Sequence, residues 1–266
     1  MFKRLFGGRK AEAAPQLCMP LLVSAEGLSP ARLVGAWRKL FPALPPPEAD
    51  AGGEEGVMSF RVGGASAFVA VMPGRVPTGE VEEAAKLSWM WKKEGDAALA
   101  AYGAHAVVAA AGAGESPVEN AVLVTRVVAC VVEAGSCVAV YWGNGSLVHM
   151  PGLFKDMAVE MMEGGSPVPP LWVNVLVSSD GPRGPFSLST LGMEKLGHNE
   201  FEIVAASTDR PGDLRMRLYE VAAYVLENGP VLKDGDTLGD SPEERIRVRV
   251  GRSRLGKPGR VVRLEM

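Results

Sequence analysis

Residues 116–150 read SPVENAVLVTRVVACVVEAGSCVAVYWGNGSLVHM, and this stretch decides how the rest of the chain can pack. A capping-box pattern at Ser116–Glu119 predicts a helix that begins here and runs to about Glu133. The helix is apolar nearly all round, so we expect it to be buried between layers. Gly135 ends it, and residues 136–142 form a near-continuous apolar run, typical of a strand buried on both faces.

A glycine-rich turn follows this strand. Gly143-Asn144-Gly145 leads into a second strand that ends at His149. A phosphate-binding loop would require a helix N-terminus after the glycines, whereas residues 146–149 resemble a strand, so the pattern favours a hairpin turn. The stretch therefore predicts a central scaffold. We expect its end, Trp142–His149, to be exposed and to be a candidate for binding.

The part of the chain before this scaffold, residues 17–114, predicts the element order β-α-β-β-α-β. The predicted strands and helices lie at 17–24, 30–40, 57–62, 67–72, 79–94 and 104–111. This is the order of a ferredoxin-like unit, in which helices cover one face of an antiparallel sheet. Element order alone does not fix how the strands pair.

The part after residue 114 again mixes strands and helices. Apolar patterns predict further strands and helices at 151–162, 171–178, 200–205, 213–227, 245–250 and 261–264, and residues 186–196 fit a strand or a short helix. The sequence therefore predicts an α+β fold with mixed or antiparallel sheets and layered helices. Residues 115–266 form a second half that completes or doubles the first, either packed on it or continuous with it.

Composition limits the class of partner. The 266 residues carry a net charge of -3 and no long basic block, which argues against nucleic acid. Three cysteines, an odd number, favour a reducing compartment, and no uninterrupted apolar stretch approaches the roughly 20 residues of a membrane span. We therefore expect a soluble cytoplasmic protein. The basic tail, residues 1–16, either frays or touches an anionic membrane surface through residues 1–10.

Several short sequence segments follow one another in the order found in one protein family. They are VPTGEVEEAAKLSWMW (76–91), VENAVLVTRVVACVVE (118–133), AVYWGNGSLVHMPGLFKDMA (139–158), PLWVNVLV (170–177), GMEKLGHNEFEIV (192–204), ENGPVLKDGDTLG (227–239), ERIRVRV (244–250) and RLEM (263–266). Their number and order resemble the bacterial domain-of-unknown-function family DUF4261. The resemblance implies a soluble bacterial protein with no assigned chemistry, and it supplies no catalytic residues.

Motifs for metal binding or nucleophilic catalysis do not occur in the sequence. His105, His149 and His198 are scattered, and Cys130 and Cys137 lack the short ligand spacing of a zinc site. A G-x-S-x-G elbow and a G-x-G-x-x-G loop are both missing. We therefore predict no metal, no cofactor and no assigned catalytic residue.

The phrase GHNEFE, residues 197–202, is the most distinctive polar segment. In a strand, Glu200 and Glu202 lie on one face, and His198 is close by. Two carboxylates and a histidine can perform acid–base chemistry or bind a cation, and His149 could complete such a site. The competing interpretation is a half-exposed strand with a solvated face.

Two tryptophans are further candidates for a binding site. Trp89 and Trp91 are two residues apart on a predicted helix, so they cannot share a face. One of them must face the core and the other a second layer, a loop or a partner. Contact with a partner and packing between the two halves explain this pair equally well.

Two functions remain open. The missing catalytic motifs and the tryptophan pair favour a non-enzymatic interaction, regulatory or immunity-type module that binds another protein. The alternative is a small-molecule-binding or hydrolytic enzyme with a site formed by His149, His198, Glu200 and Glu202.

Overall fold

The computed structural model describes residues 16–50, 56–112, 116–181, 184–206, 210–239 and 245–266. These residues form six α-helices and two β-sheets, which confirms the predicted α+β class. The predicted contact of residues 1–10 with a membrane lies outside the described residues. No helix within the described ranges is long and apolar enough to cross a bilayer.

Seven strands form the first sheet. They are β1 (Leu17–Leu22), β2 (Glu48–Ala49), β3 (Val57–Val62), β4 (Ala65–Pro73), β5 (Ala104–Ala111), β6 (Cys137–Trp142) and β7 (Leu147–His149). Their order is β2-β3-β4-β5-β1-β6-β7, and all of these described pairings are antiparallel. The first strand of the chain therefore lies inside the sheet, between β5 and β6.

Helices cover both faces of this sheet. The six helices are α1 (Pro30–Leu40), α2 (Glu80–Leu87), α3 (Asp96–Ala101), α4 (Pro117–Ala134), α5 (Pro151–Gly164) and α6 (Pro211–Asn228). Alternate residues of β6 point to opposite faces. Val140 and Trp142 join the apolar cluster beneath α1, α4 and α5, whereas Ala139 and Tyr141 join a separate cluster beneath α2 and α3.

The ferredoxin-like arrangement predicted for residues 17–114 is not confirmed. In a ferredoxin-like sheet the first strand separates the third and fourth, and both helices lie on one face. Here β4 pairs directly with β5, so β1 is displaced to the far side of β5, where it also pairs with β6. The long β4–β5 pairing runs from Ser66 to Pro73, and α1 and α2 lie on opposite faces of the sheet.

Helix α4 is the predicted scaffold. Ser116 Oγ accepts a hydrogen bond from the Val118 N–H, and the Glu119 carboxylate accepts one from the Ser116 N–H, which completes the capping box. Most of the helix is buried, including Thr125, whose hydroxyl donates to the Ala121 carbonyl and accepts from the Trp172 indole. The predicted helix and the following strand are confirmed.

Six strands form the second sheet. They are β8 (Asn174–Ser179), β9 (Phe186–Leu191), β10 (Glu200–Ala206), β11 (Thr237–Leu238), β12 (Ile246–Arg252) and β13 (Arg260–Glu265). Their order is β11-β12-β13-β10-β9-β8, with β10 and β13 parallel and the other described pairs antiparallel. Helix α6 packs on β8 and β9.

The two sheets meet at a backbone contact that only glycine permits. A Cβ on Gly145 would lie 2.4 Å from the Trp172 carbonyl oxygen, and a Cβ on Gly192 would lie 2.6 Å from the same atom. One continuous cluster of buried side chains includes Val140 of the first sheet and Leu188 of the second. The boundary predicted near residue 115 stays a prediction.

Candidate functional site

The candidate site is an aromatic cleft beside the end of α2. We call it the tryptophan cleft and define it by Trp89, Trp91, Lys86, Lys93 and Asp96 in its wall. Its volume is about 610 Å³, within the size range of ligand and peptide-anchor pockets. It lies on the face of the first sheet that carries α2 and α3.

Both tryptophans line the same cleft because α2 ends earlier than predicted. The sequence predicts a helix through Trp91, but α2 ends at Leu87 and Ser88 is extended. The Ser88 hydroxyl donates to the Ala84 carbonyl at 2.7 Å and accepts from the Val148 N–H of β7 at 2.8 Å. The predicted helix through Trp91 is therefore wrong, since neither tryptophan is on α2. The two rings still differ in what they face: Trp91 packs against the apolar cluster beneath α2 and α3, whereas Trp89 is exposed and contacts Tyr219 of α6.

Trp89 joins the cleft to the second half of the chain. Its ring is 42% exposed, and its indole N–H donates to the Tyr219 hydroxyl of α6 at 2.8 Å. Burial raises the pKa of Tyr219 to about 12, so the phenol stays neutral. The Arg215 guanidinium carbon lies 5.0 Å from the Trp89 ring centroid, a cation–π distance. Arg215 Nε has no hydrogen-bond partner among the described residues.

Trp91 contacts residues of its own segment of the chain. Its indole N–H donates to Asp96 Oδ1 at 2.8 Å, and its ring lies against Gly95, where a Cβ would be 2.5 Å from the ring. Lys92 and Lys93 follow it and are exposed. In the part of the chain that the structure describes, neither lysine forms an ion pair with a carboxylate. The cleft wall therefore combines two indoles with the ammonium group of Lys93, unpaired within the described ranges, and with the Asp96 carboxylate, which accepts from an indole.

The other tryptophan candidate and its neighbour are buried. Trp142 and His149 are both 0% exposed, and the Trp142 ring packs 6.4 Å from the Trp172 ring. The expectation that Trp142–His149 is exposed was wrong, because Leu147 and Val148 of the same segment pack into the two apolar clusters. The binding roles of Trp142 and His149 stay predictions, and burial gives them no support.

His149 is an unusual core residue. Its ring packs edge-on against Phe154 with centroids 5.4 Å apart, and neither ring nitrogen meets hydrogen-bond geometry with a described residue. Burial lowers its pKa to about 4, an effect that the nearby Leu171 carbonyl only partly offsets. The ring is therefore neutral at pH 7.

Glu200 fixes a tight turn. As predicted, Glu200 and Glu202 share one face of β10, since Phe201 and Ile203 point into the core. One Glu200 oxygen accepts from the Gly192 N–H at 2.9 Å, and the other accepts from the Thr190 hydroxyl at 2.6 Å. The carboxylate thus ties β10 to the turn after β9.

Glu202 is the centre of a buried polar cluster. It is 0% exposed and pairs with Arg263 Nε at 2.9 Å. The Ser253 hydroxyl donates to it at 2.6 Å and the Arg254 N–H at 3.0 Å. Residues 253–257 therefore cover the Glu202 side of β10, the face for which the sequence allowed either solvent exposure or a catalytic role.

Lys257 lies beside this cluster, whereas His198 makes no hydrogen bond with it in the described ranges. Lys257 Nζ donates to the Thr190 carbonyl at 2.6 Å, and burial lowers the pKa of this lysine, with Glu200 and Glu202 opposing the effect. His198 is half-buried, and burial lowers its pKa as well. Within the described ranges, no hydrogen bond joins His149, on the first sheet, to the cluster on the second.

Arg263, Lys257 and Ser253 were missed by sequence reasoning. The sequence could have indicated Arg263, because it is the one charged residue within the apolar run Val261–Leu264. A charge in such a run indicates a buried partner. Lys257 and Ser253 lie in a polar loop and carried no comparable signal.

Metal and thiol chemistry have little support in the described ranges. There, no three His, Cys, Asp or Glu side chains are grouped so that they could hold a metal ion. Burial raises the pKa of Cys130 and of Cys137 to about 12, so both thiols stay protonated.

Comparison with known proteins gives one match. A model of the family described as "Domain of unknown function (DUF4261)" matches residues 189–265, which confirms the predicted resemblance over that segment. The segment contains the Glu202–Arg263 pair and Tyr219, which accepts the hydrogen bond from Trp89 of the tryptophan cleft. No curated protein and no solved structure matches the chain.

Proposed function

We propose that this chain is a non-enzymatic module that binds another protein through the tryptophan cleft. The observation that carries the proposal is an exposed tryptophan in the cleft wall, Trp89, whose ring centroid lies 5.0 Å from the guanidinium carbon of Arg215. Tryptophan, tyrosine and arginine are the residues most enriched among energetically dominant interface positions. The hydrogen bond and ring contact with Tyr219 hold Trp89 in place, so little entropy is lost on binding.

The charges around the cleft indicate the chemistry of the partner. Lys92, Lys93 and Arg215 have no carboxylate partner in the described ranges. Glu82 and Glu83, by contrast, pair with Arg75 and Lys86, and the Asp96 carboxylate accepts from the Trp91 indole. An acidic segment with an apolar side chain between the two indoles would satisfy both features. A regulatory or immunity-type role is consistent with such capture of a partner.

The His/Glu alternative has less support. Glu202 already accepts three hydrogen bonds, Glu200 holds a turn, and His149 is buried away from both. A reducing cytoplasmic setting accords with three free cysteines, of which Cys18 and Cys130 are buried.

The test is quantitative affinity capture from the source proteome, followed by titration with the purified partner. Trp89→Ala and, separately, Arg215→Gln are compared with wild type, and Phe68→Ala is the control. Phe68 is an aromatic of similar exposure, 38%, on β4 and outside the cleft. A partner that is lost with both cleft variants and retained with the control supports the proposal.

Two results would contradict it. One is a partner whose affinity is the same for wild type and for both cleft variants. The other is an equal loss with Phe68→Ala, which would move the contact to another surface. Arg215→Gln guards against misfolding, because it leaves the Trp89–Tyr219 hydrogen bond in place.

A further inference from the structure

Arg126 of α4 lies where two cavities meet. The first has a volume of about 460 Å³ and is bordered by Gly64 and Glu119. The second, of about 540 Å³, lies between the end of α1 and the end of α5, and we call it the α1–α5 cavity. Its wall is largely apolar and includes Phe41, Leu44 and Met162.

The Arg126 guanidinium is half-buried and has no negative partner. Its Nε donates to Met162 Sδ at 2.6 Å, and a thioether is a weak acceptor. Across the described ranges, no carboxylate forms an ion pair with it. Burial lowers the pKa of Arg126, as expected where no anion compensates the loss of water. A cation in this position is costly unless something binds it.

The acidic side chains nearby do not supply that partner. The Glu119 carboxylate accepts from the Ser116 N–H at the start of α4. Glu133, two turns beyond Arg126, pairs with Lys39 and Lys155. Glu163 lies at the rim of the α1–α5 cavity and is exposed. The positive charge of Arg126 therefore remains available inside an apolar site.

We propose that Arg126 binds the carboxylate of a small ligand whose apolar body fills the α1–α5 cavity. The planar guanidinium matches a carboxylate in a two-bond arrangement, and the cavity volume suits a medium-chain fatty acid anion. Because α1, α4 and α5 lie on the opposite face of the first sheet from α2 and α3, this site is separate from the tryptophan cleft. It does not rest on the proposed protein partner.

The first test compares three probes by isothermal titration calorimetry on the full chain. Decanoate carries both the charge and the chain, decanol carries the chain alone, and acetate carries the charge alone. We expect decanoate to bind at least about tenfold more tightly than either of the others, as a charge-assisted pair implies. Equal affinity for decanoate and decanol, or no decanoate binding at millimolar concentration, overturns the proposal.

The second test uses variants. Arg126→Met keeps an unbranched apolar stem and removes the charge, so decanoate should then bind no better than decanol. Arg126→Lys should retain part of the preference, and Arg247→Met, an exposed arginine on β12, should retain all of it. Without ligand, Arg126→Met should unfold at the same temperature as wild type or higher, because an unpaired charge is removed. Unchanged decanoate affinity in Arg126→Met and Arg126→Lys overturns the proposal, as does a loss in Arg247→Met.

Discussion

The Glu202–Arg263 pair joins two parallel strands and a loop, and it allows a sharp energetic test. The Glu202 side chain is fully buried and that of Arg263 is 11% exposed. Arg263 also donates from Nη2 to the Arg252 carbonyl at 3.0 Å, and the Ser253 hydroxyl donates to Glu202. Removal of either charge therefore leaves the other charge unpaired in the protein interior.

We expect each single variant, Glu202→Leu or Arg263→Met, to lose about 3–5 kcal/mol of unfolding free energy, the cost of an uncompensated buried charge. The double variant should lose about 2–3 kcal/mol less than the sum of the two, because no charge is left unpaired. Arg249→Met is the control. Its pair with Glu265 is 3.5 Å long and about 39% exposed, so we expect a loss of no more than about 1 kcal/mol.

Equilibrium urea unfolding, followed by circular dichroism, measures all four variants. Hydrogen exchange of residues 253–257 gives a local readout, because their backbone is anchored to Glu202. Losses in the two single variants that add up within about 0.5 kcal/mol in the double variant would refute the coupling. A loss in Arg249→Met as large as that in Arg263→Met would refute the role of burial.

Three further outcomes are expected. The pKa of His149 in the folded chain, about 4, lies below its unfolded value, so the unfolded chain binds more protons. The free energy of unfolding should therefore fall by up to about 3 kcal/mol as the pH drops from 6.5 through 4. His149→Phe should remove this dependence when unfolding is measured at a series of pH values. Gly95→Ala should lower the melting temperature and shift the fluorescence of Trp91, whereas Gly152→Ala, with nothing within 4 Å, should not. Ser116→Ala should lose about 0.5–2 kcal/mol in urea unfolding, through loss of the helix cap.

Local signals explain why the scaffold could be predicted. The capping box at Ser116–Glu119 and the helix end at Gly135 act within a few residues, and the structure has both. The α+β class followed from such local elements. The segment 186–196, which fitted two structures, contains both a strand and a short 3₁₀ turn, Glu194–Leu196.

Distant contacts explain what could not be predicted. The end of α2 depends on Ser88, whose hydroxyl binds the backbone of Val148, sixty positions later in the chain. The shared cleft of Trp89 and Trp91 follows from that contact, so no local pattern could reveal it. Similarly, the alternation of β10 placed Glu200 and Glu202 on one face, but only the fold shows that residues 253–257 cover Glu202.

The interior position of β1 has a consequence for synthesis on the ribosome. This strand, Leu17–Leu22, is made first, yet one neighbour ends at Ala111 and the other at Trp142. At about 5–20 residues per second, β1 waits about 6–24 s after its own synthesis before its second neighbour is complete. Both rows of its backbone hydrogen-bonding groups lack a partner strand until β5 is made, and one row lacks it until β6 is made. Its apolar side chains stay exposed during that interval. Nascent chains that stop before residue 137 should therefore be the ones that chaperones retain and that aggregate.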